Sequence, residues 1–107
     1  VIIIDRNGLQ ITGKTEEVNP IEPLMDKFLS FGLSVKQVNG NSVSELDAIF
    51  NKVPFDEKKP NLIIANTIKG KGVSFIENEV VWHHKLPSDE EYKKAIEELN
   101  TQLENYK

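Results

Sequence analysis

Asn61-Leu62-Ile63-Ile64-Ala65-Asn66-Thr67 is the stretch that decides the fold. Its apolar residues follow one another without alternating with polar ones. A strand of that kind is covered on both faces, as in a parallel sheet flanked by helices. The opening run Val1–Asp5 (Val-Ile-Ile-Ile-Asp) has the same character. Leu33–Val38 reads as a second strand between them, with weaker alternation.

Helical patterns fill the intervals. A first helix is expected from Asn19, with Pro20 at the first helical position and Asn19 and Glu22 spaced as a capping box. Pro23 is compatible with it only because the first turn lacks intrahelical N–H partners. Leu24, Met25, Phe28 and Leu29 would be its buried face, and Gly32 its end. A second helix should begin at Ser42, again with a glutamate three residues on. It would turn Val43, Leu46, Ile49, Phe50 and Val53 to the core and stop at Pro54. A third should begin at Ser88 with Glu91, and Tyr92, Ile96, Leu99, Leu103 and Tyr106 form one apolar stripe. The order β-α-β-α-β-loop-α implies an α/β fold with right-handed crossovers and a partial parallel sheet.

Two connections, Arg6–Val18 and Lys69–Pro87, are longer than simple strand-to-helix links need to be. Both follow the carboxyl ends of strands, where open α/β sheets bind ligands. The ligand-binding residues should therefore lie on these loops, at one edge of the sheet.

The bulk properties narrow the class. At 107 residues the chain is one domain or less. A net charge of −4 provides no general basic field for nucleic acid or an anionic membrane, so neither is expected as a partner. The absence of cysteine excludes a disulfide framework and any thiolate metal site, and fits a reducing, cytoplasmic setting. No apolar run approaches the roughly 20 residues of a membrane helix. The chain opens on Val1-Ile2-Ile3-Ile4 and not on methionine, which reads as the middle of a longer protein.

Gly8–Thr15 matches the nucleotide-binding pattern G-x-x-x-x-G-K-[ST] letter for letter. That motif works only if Lys-Thr opens a helix whose N-terminus faces the phosphates. Pro20 and Pro23 follow too closely for a sustained helix to begin at Lys14. The four intervening residues are also bulky for a phosphate cradle.

Other residues offer different chemistry. Asn7, just after the first strand, provides an amide oxygen suited to magnesium, although Asn-Gly is also an ordinary turn dipeptide. Lys69 and Lys71 flank Gly70; glycine lets backbone approach a ligand, and an ammonium is a point charge for phosphate. By itself this is equally an exposed basic turn. His83 and His84 are the only histidines, and one of two adjacent imidazoles should point away from any shared site. An imidazole can move a proton near neutral pH or bind a phosphate oxygen. Trp82 reads as a packing residue.

Taken in order, several of these stretches resemble transketolase, particularly the bacterial form split into two shorter chains. They are Asp5–Gly13, Thr15–Val18, Phe31-Gly32, Asn61–Thr67 with Lys69–Phe75, Glu77-Asn78, Trp82–Pro87 and Asp89–Tyr92. The resemblance is collinear over essentially the whole chain. It implies the C-terminal half of a thiamine-diphosphate-binding domain, spanning residues 1–107 as a single partial domain. It implies thiamine diphosphate and Mg²⁺ as cofactors. Asn7 would bind the metal through its side chain and lie near the diphosphate, and Leu9 would offer the metal its backbone carbonyl. Lys69 would contact the cofactor, and His83 would contact both the diphosphate and the sugar substrate. The implied reaction moves a two-carbon ketol unit between sugar phosphates, as in the pentose phosphate pathway.

The implied partners are a complementary chain or domains carrying the pyrimidine-binding site, in a homo- or hetero-oligomer. The family's Gly-Asp-Gly metal motif is not among these 107 residues, so the chain alone is expected to be inactive. The family usually has glycine after the Trp-His pair, where this chain has His84. A non-catalytic α/β half-domain that binds a partner protein is the alternative reading, and a nucleotide binder through Gly8–Thr15 a lesser one.

Overall fold

The structure, a computed structural model, describes residues 1–105. Its strands in chain order are β1 (Ile2–Arg6), the short β2 (Leu9–Gln10) and β3 (Gly13–Lys14), β4 (Ser34–Asn39) and β5 (Asn61–Asn66). The centre is a three-stranded parallel sheet in the order β1-β5-β4. Ile3 lies opposite Ile63, and Val38 opposite Ala65. The uninterrupted apolar run of β5 therefore has the cause expected of it. The strand is central and is covered on both faces, so Asn61–Ala65 are all buried.

The two faces divide by the period-2 rule of a strand. Val35, Leu62 and Ile64 face α2 (Leu24–Ser30), where Leu24, Met25 and Phe28 close over them. Val38, Ile63 and Ala65 face α3 (Val43–Phe50), against Leu46, Ile49, Val53 and Phe55. Asn61 ends the core below. Its amide oxygen accepts from the Phe55 N–H at 2.5 Å, and its NH₂ donates to the Asp56 and Lys59 carbonyls. β1 is an edge strand that leaves Ile2 and Ile3 exposed.

The expected first helix does not start at Asn19. Asn19 instead ends a four-residue helix, α1 (Thr15–Val18), and α2 begins at Leu24. Each proline disfavours helical geometry in the residue before it, so Asn19 and Glu22 are both excluded from a continuous helix. The Glu22 carboxylate does not reach back to Asn19. It accepts from the Leu24 N–H at 2.7 Å and from Arg6. Two positions expected in the core also lie outside it. Val43 is 82% exposed, and Phe50 is exposed at the end of α3. Val43 is the first residue of its helix, at the end of the stripe that Leu46 and Ile49 continue. Leu29 likewise turns outward from α2.

Both serine caps form. The Ser42 Oγ accepts from the Glu45 N–H, and the Ser88 Oγ accepts from the Glu91 N–H. At Ser88 the box is reciprocal, because the Glu91 carboxylate accepts the Ser88 N–H at 2.9 Å. Helix α4 (Asp89–Asn105) follows. Its polar side grips the preceding loop. The Glu98 carboxylate accepts from the Ser74 N–H at 2.6 Å and from its hydroxyl at 2.7 Å, and the Gln102 amide donates to the Gly72 carbonyl. Its apolar stripe, Tyr92, Ile96, Leu99 and Leu103, is largely exposed, with Leu99 reaching the loop beside Gly72. Tyr106, assigned to the same stripe, lies outside the described residues. Among the described residues no helix is long and apolar enough to cross a membrane.

The Glu98 contacts carry a pH dependence. The Ser74 backbone N–H and then its hydroxyl hold the Glu98 carboxyl below the usual range. A depressed folded-state pKa stabilises the fold above the ordinary glutamate value of about 4.3, and that contribution is lost as pH falls through the lowered one. Acidification should therefore release α4 from the loop. Trp82 fluorescence would follow this, because Trp82 packs on Phe75, next to Ser74. Glu98→Gln should remove this acid step.

Candidate functional site

The long connection after β1 is not plain loop. It folds as a small hairpin, with β2 pairing antiparallel to β3, and then enters α1. Gly8 stands at φ +74°, which turns the chain from β1 into the hairpin. The Asn7 amide oxygen accepts the Leu9 N–H at 2.9 Å, an Asx turn that points the next carbonyls along the hairpin. At the turn, Ile11 is held at φ +35°, a conformation that a β-branched residue rarely adopts.

The nucleotide-binding letters therefore do not make a phosphate cradle. Lys14 is exposed and pairs with Glu17, while the buried Thr15 hydroxyl accepts from Arg6. The helix that follows has only four residues.

The connection after β5 crosses the same sheet end. Thr67 donates its N–H to the Arg6 carbonyl at 3.1 Å and its hydroxyl to the Asp5 carboxylate at 2.5 Å. The Asn41 amide oxygen receives the Ile68 N–H at 2.7 Å, which ties in the end of β4 as well. Gly40 lets these ends come together, since a Cβ there would stand 2.5 Å from the Thr67 methyl. The glycine turn then closes on itself. Asn78, at φ +60°, donates its N–H to the Lys69 carbonyl, and Glu77 accepts from the Gly72 N–H and pairs with Lys71 at 3.1 Å.

A 3-10 turn, Val80–His83, completes the wall. Trp82 anchors it by packing on Phe75 at 5.7 Å and donating its indole N–H to the Phe75 carbonyl, with Lys85 over its outer face. This is the packing role expected of it.

These elements enclose a cleft of about 270 Å³ lined by Asn7, Leu9, Gln10, Ile11, Lys69, Val80 and His83. The four residues to which the family resemblance gave cofactor roles, Asn7, Leu9, Lys69 and His83, meet there although they come from three separated stretches of the chain. Of the two histidines only His83 lines the cleft; the His84 ring stands edge-on to it, 4.5 Å away. His84 has φ −125°, so a side chain in place of the family's glycine adds no backbone strain. Gln10, Ile11 and Val80 were not singled out. The only trace of them in the sequence is that they lie within three residues of Leu9 or His83.

The cleft brings a lysine and a histidine together with an asparagine and a glutamine. Lys69 makes no ion pair among the described residues, and it lines the cleft together with His83. Asn7 keeps one amide-oxygen lone pair beyond its bond to Leu9. Among the described residues no three His, Asp or Glu side chains converge as a metal cluster. A divalent ion here would be held by neutral oxygens together with the ligand's own charge.

A parallel α/β sheet with a cleft across its strand ends belongs to the class of domains that bind ligands at that edge. The family model for the thiamine diphosphate binding domain of transketolase matches residues 1–105, and the chain belongs to that family. Over 104 residues it is 42% identical to an apulose-4-phosphate transketolase subunit from Phocaeicola vulgatus, covering 97% of this chain and 37% of that protein. It is 38% identical to the 6-deoxy-6-sulfo-D-fructose transketolase subunit SqwG of a Clostridium species, covering 92% of this chain and 36% of that one. Among solved structures, the transketolase of Campylobacter jejuni superposes with a TM-score of 0.78 at 29% identity, over 92% of this chain and 15% of its own. The chain thus spans little more than a third of the subunit relatives it matches.

Proposed function

We propose that this chain forms one wall of the magnesium and thiamine diphosphate site of a transketolase that transfers a two-carbon ketol unit between sugar phosphates. The observation that carries the reading is the convergence of Asn7, Leu9, Lys69 and His83 on one cleft. In it the Asn7 amide oxygen and the Leu9 carbonyl hold the metal. Lys69 and His83 neutralise and orient the diphosphate, and His83 also meets the sugar. The cofactor, when bound, supplies the carbanion chemistry, and the protein supplies position and charge.

The remaining metal donors and the pyrimidine-binding site come from residues beyond these 107. They lie elsewhere in the same protein or in a complementary chain, as the subunit names of the relatives suggest. The 107 residues alone are then inactive.

The test is calorimetric titration of Mg²⁺ and thiamine diphosphate into the full-length product of the reading frame containing this chain, with its complementary chain present. Lys69→Ala should weaken binding about tenfold to a hundredfold, the cost of one charge-assisted contact. Binding that is absent in the parent, or unchanged in Lys69→Ala, would overturn the reading and leave a partner-binding α/β unit.

A further inference from the structure

We propose that Arg6 is a positioning residue for the cleft. It holds the hairpin wall formed by Leu9, Gln10 and Ile11 in its binding geometry without touching the ligand. The inference rests on the cofactor reading of the cleft.

Arg6 is the last residue of an edge strand, yet its side chain is only 14% exposed. It does not line the cleft described above. Its guanidinium divides its donors among three partners. Nη1 donates to the Thr15 hydroxyl at 3.3 Å, Nη2 to Glu16 and Glu22 at 3.1 Å each, and Nε to Glu22 at 3.2 Å. Those partners are themselves anchors. The Thr15 N–H donates to the Gly8 carbonyl at 2.9 Å, closing the base of the hairpin. Glu16 accepts the N–H groups of Ile21 and Glu22, and Glu22 accepts that of Leu24 at the start of α2.

One cation thus ties together the end of β1, the hairpin, α1 and the entry to α2. The arrangement needs a fork. A lysine ammonium is a point donor and cannot serve an alcohol and two carboxylates in these directions. Without the cation, Glu16 and Glu22 face each other as like charges, and the segment between them should open. The hairpin has only two residues per strand and holds Ile11 in an unfavourable conformation, so it cannot keep its shape unaided. A ligand would then have to order the hairpin as it binds, which lowers affinity.

The experiment uses the same full-length, assembled protein. Arg6→Lys should raise the calorimetric Kd for Mg²⁺-thiamine diphosphate about tenfold. In turnover the effect should fall on the cofactor KM and not on kcat. Arg6→Met, which keeps bulk and removes charge, should raise Kd further, and adding Glu22→Gln to it should recover part of the loss by removing the like-charge pair. If Arg6→Lys does not fold, Glu22→Gln in the otherwise unaltered protein makes the same test with a smaller rise in Kd. Parental affinity in Arg6→Lys, with Lys69→Ala still impaired, would overturn the role of Arg6 alone. Absence of cofactor binding in the parent would overturn both readings.

Discussion

Replacing Gly70 with alanine should destabilise the glycine turn severely. Gly70 stands at φ +70°, a left-handed conformation that costs an L-residue about 1–2 kcal/mol. The added Cβ would also collide with the Ile76 Cγ2, and it would lie 3.0 Å from the Ile76 Cβ and 3.1 Å from its carbonyl carbon. The last two cannot be relieved by a rotamer change, so the backbone must move, at a further cost of about 1–3 kcal/mol. Gly32→Ala is the internal control. Gly32 also has a positive φ, +85°, but a Cβ there meets nothing within 4 Å. Denaturant midpoints for the two variants should separate the conformational cost from the steric one, with Gly70→Ala the lower. The displaced turn carries Lys69, so cofactor affinity should fall in Gly70→Ala and hold in Gly32→Ala. Equal midpoints would mean that the turn yields freely around Ile76.

Ile63→Ala should have a comparable effect on stability with a different cause. Ile63 is fully buried at the middle of the central strand and packs with Val38 and Ala65 beneath α3. Truncation removes buried apolar volume, and β5 is held from both sides by β1 and β4, so little can relax into the space. A loss of about 2–5 kcal/mol is expected, against about 0.5–1.5 kcal/mol for Ile63→Val. A domain with the usual stability of about 5–15 kcal/mol would approach unfolding in the first case and not in the second. Urea unfolding of the pair checks this, and a small loss for alanine would show that α3 can settle onto the sheet.

Much of this architecture could be read from the chain because it depends on local periodicity. β5 announces itself by its unbroken run of buried positions, and the serine caps of α3 and α4 by a glutamate three residues on. At the first helix the reading failed for a local reason, the prolines that exclude Asn19 and Glu22 from helical geometry, and for a distant one. Asn19 and Glu22 have the spacing of a capping box, but Arg6, far away in sequence, claims the Glu22 carboxylate. The hairpin escapes such a reading because two residues per strand are too few to show alternation, and nothing in Gln10-Ile11-Thr12 signals the positive φ of Ile11. The stripe on α4 is plain in the sequence, but an apolar stripe does not say what it faces, and here the helix uses its polar side to grip the loop. In the cleft, Asn7, Lys69 and His83 are recognisable as reactive types of side chain. The supporting Arg6 and Glu98 are not, since a salt-bridging surface residue and a positioning one look alike in sequence.

The strand order has a kinetic consequence. The strand at the middle of the sheet is the last of the three to be synthesised. β1 and β4 do not touch as neighbours, so Ile3 and Lys36 both wait for Ile63. While the ribosome has yet to release residues 61–66, β1 and β4 lack the strand that pairs with both of them. Loop closure over such separations comes before any reward in contacts, which makes folding slow for a chain of this size. A nascent chain halted before Asn61 would lack the strand that joins β1 to β4, and it is in that interval that a chaperone would have the most to do.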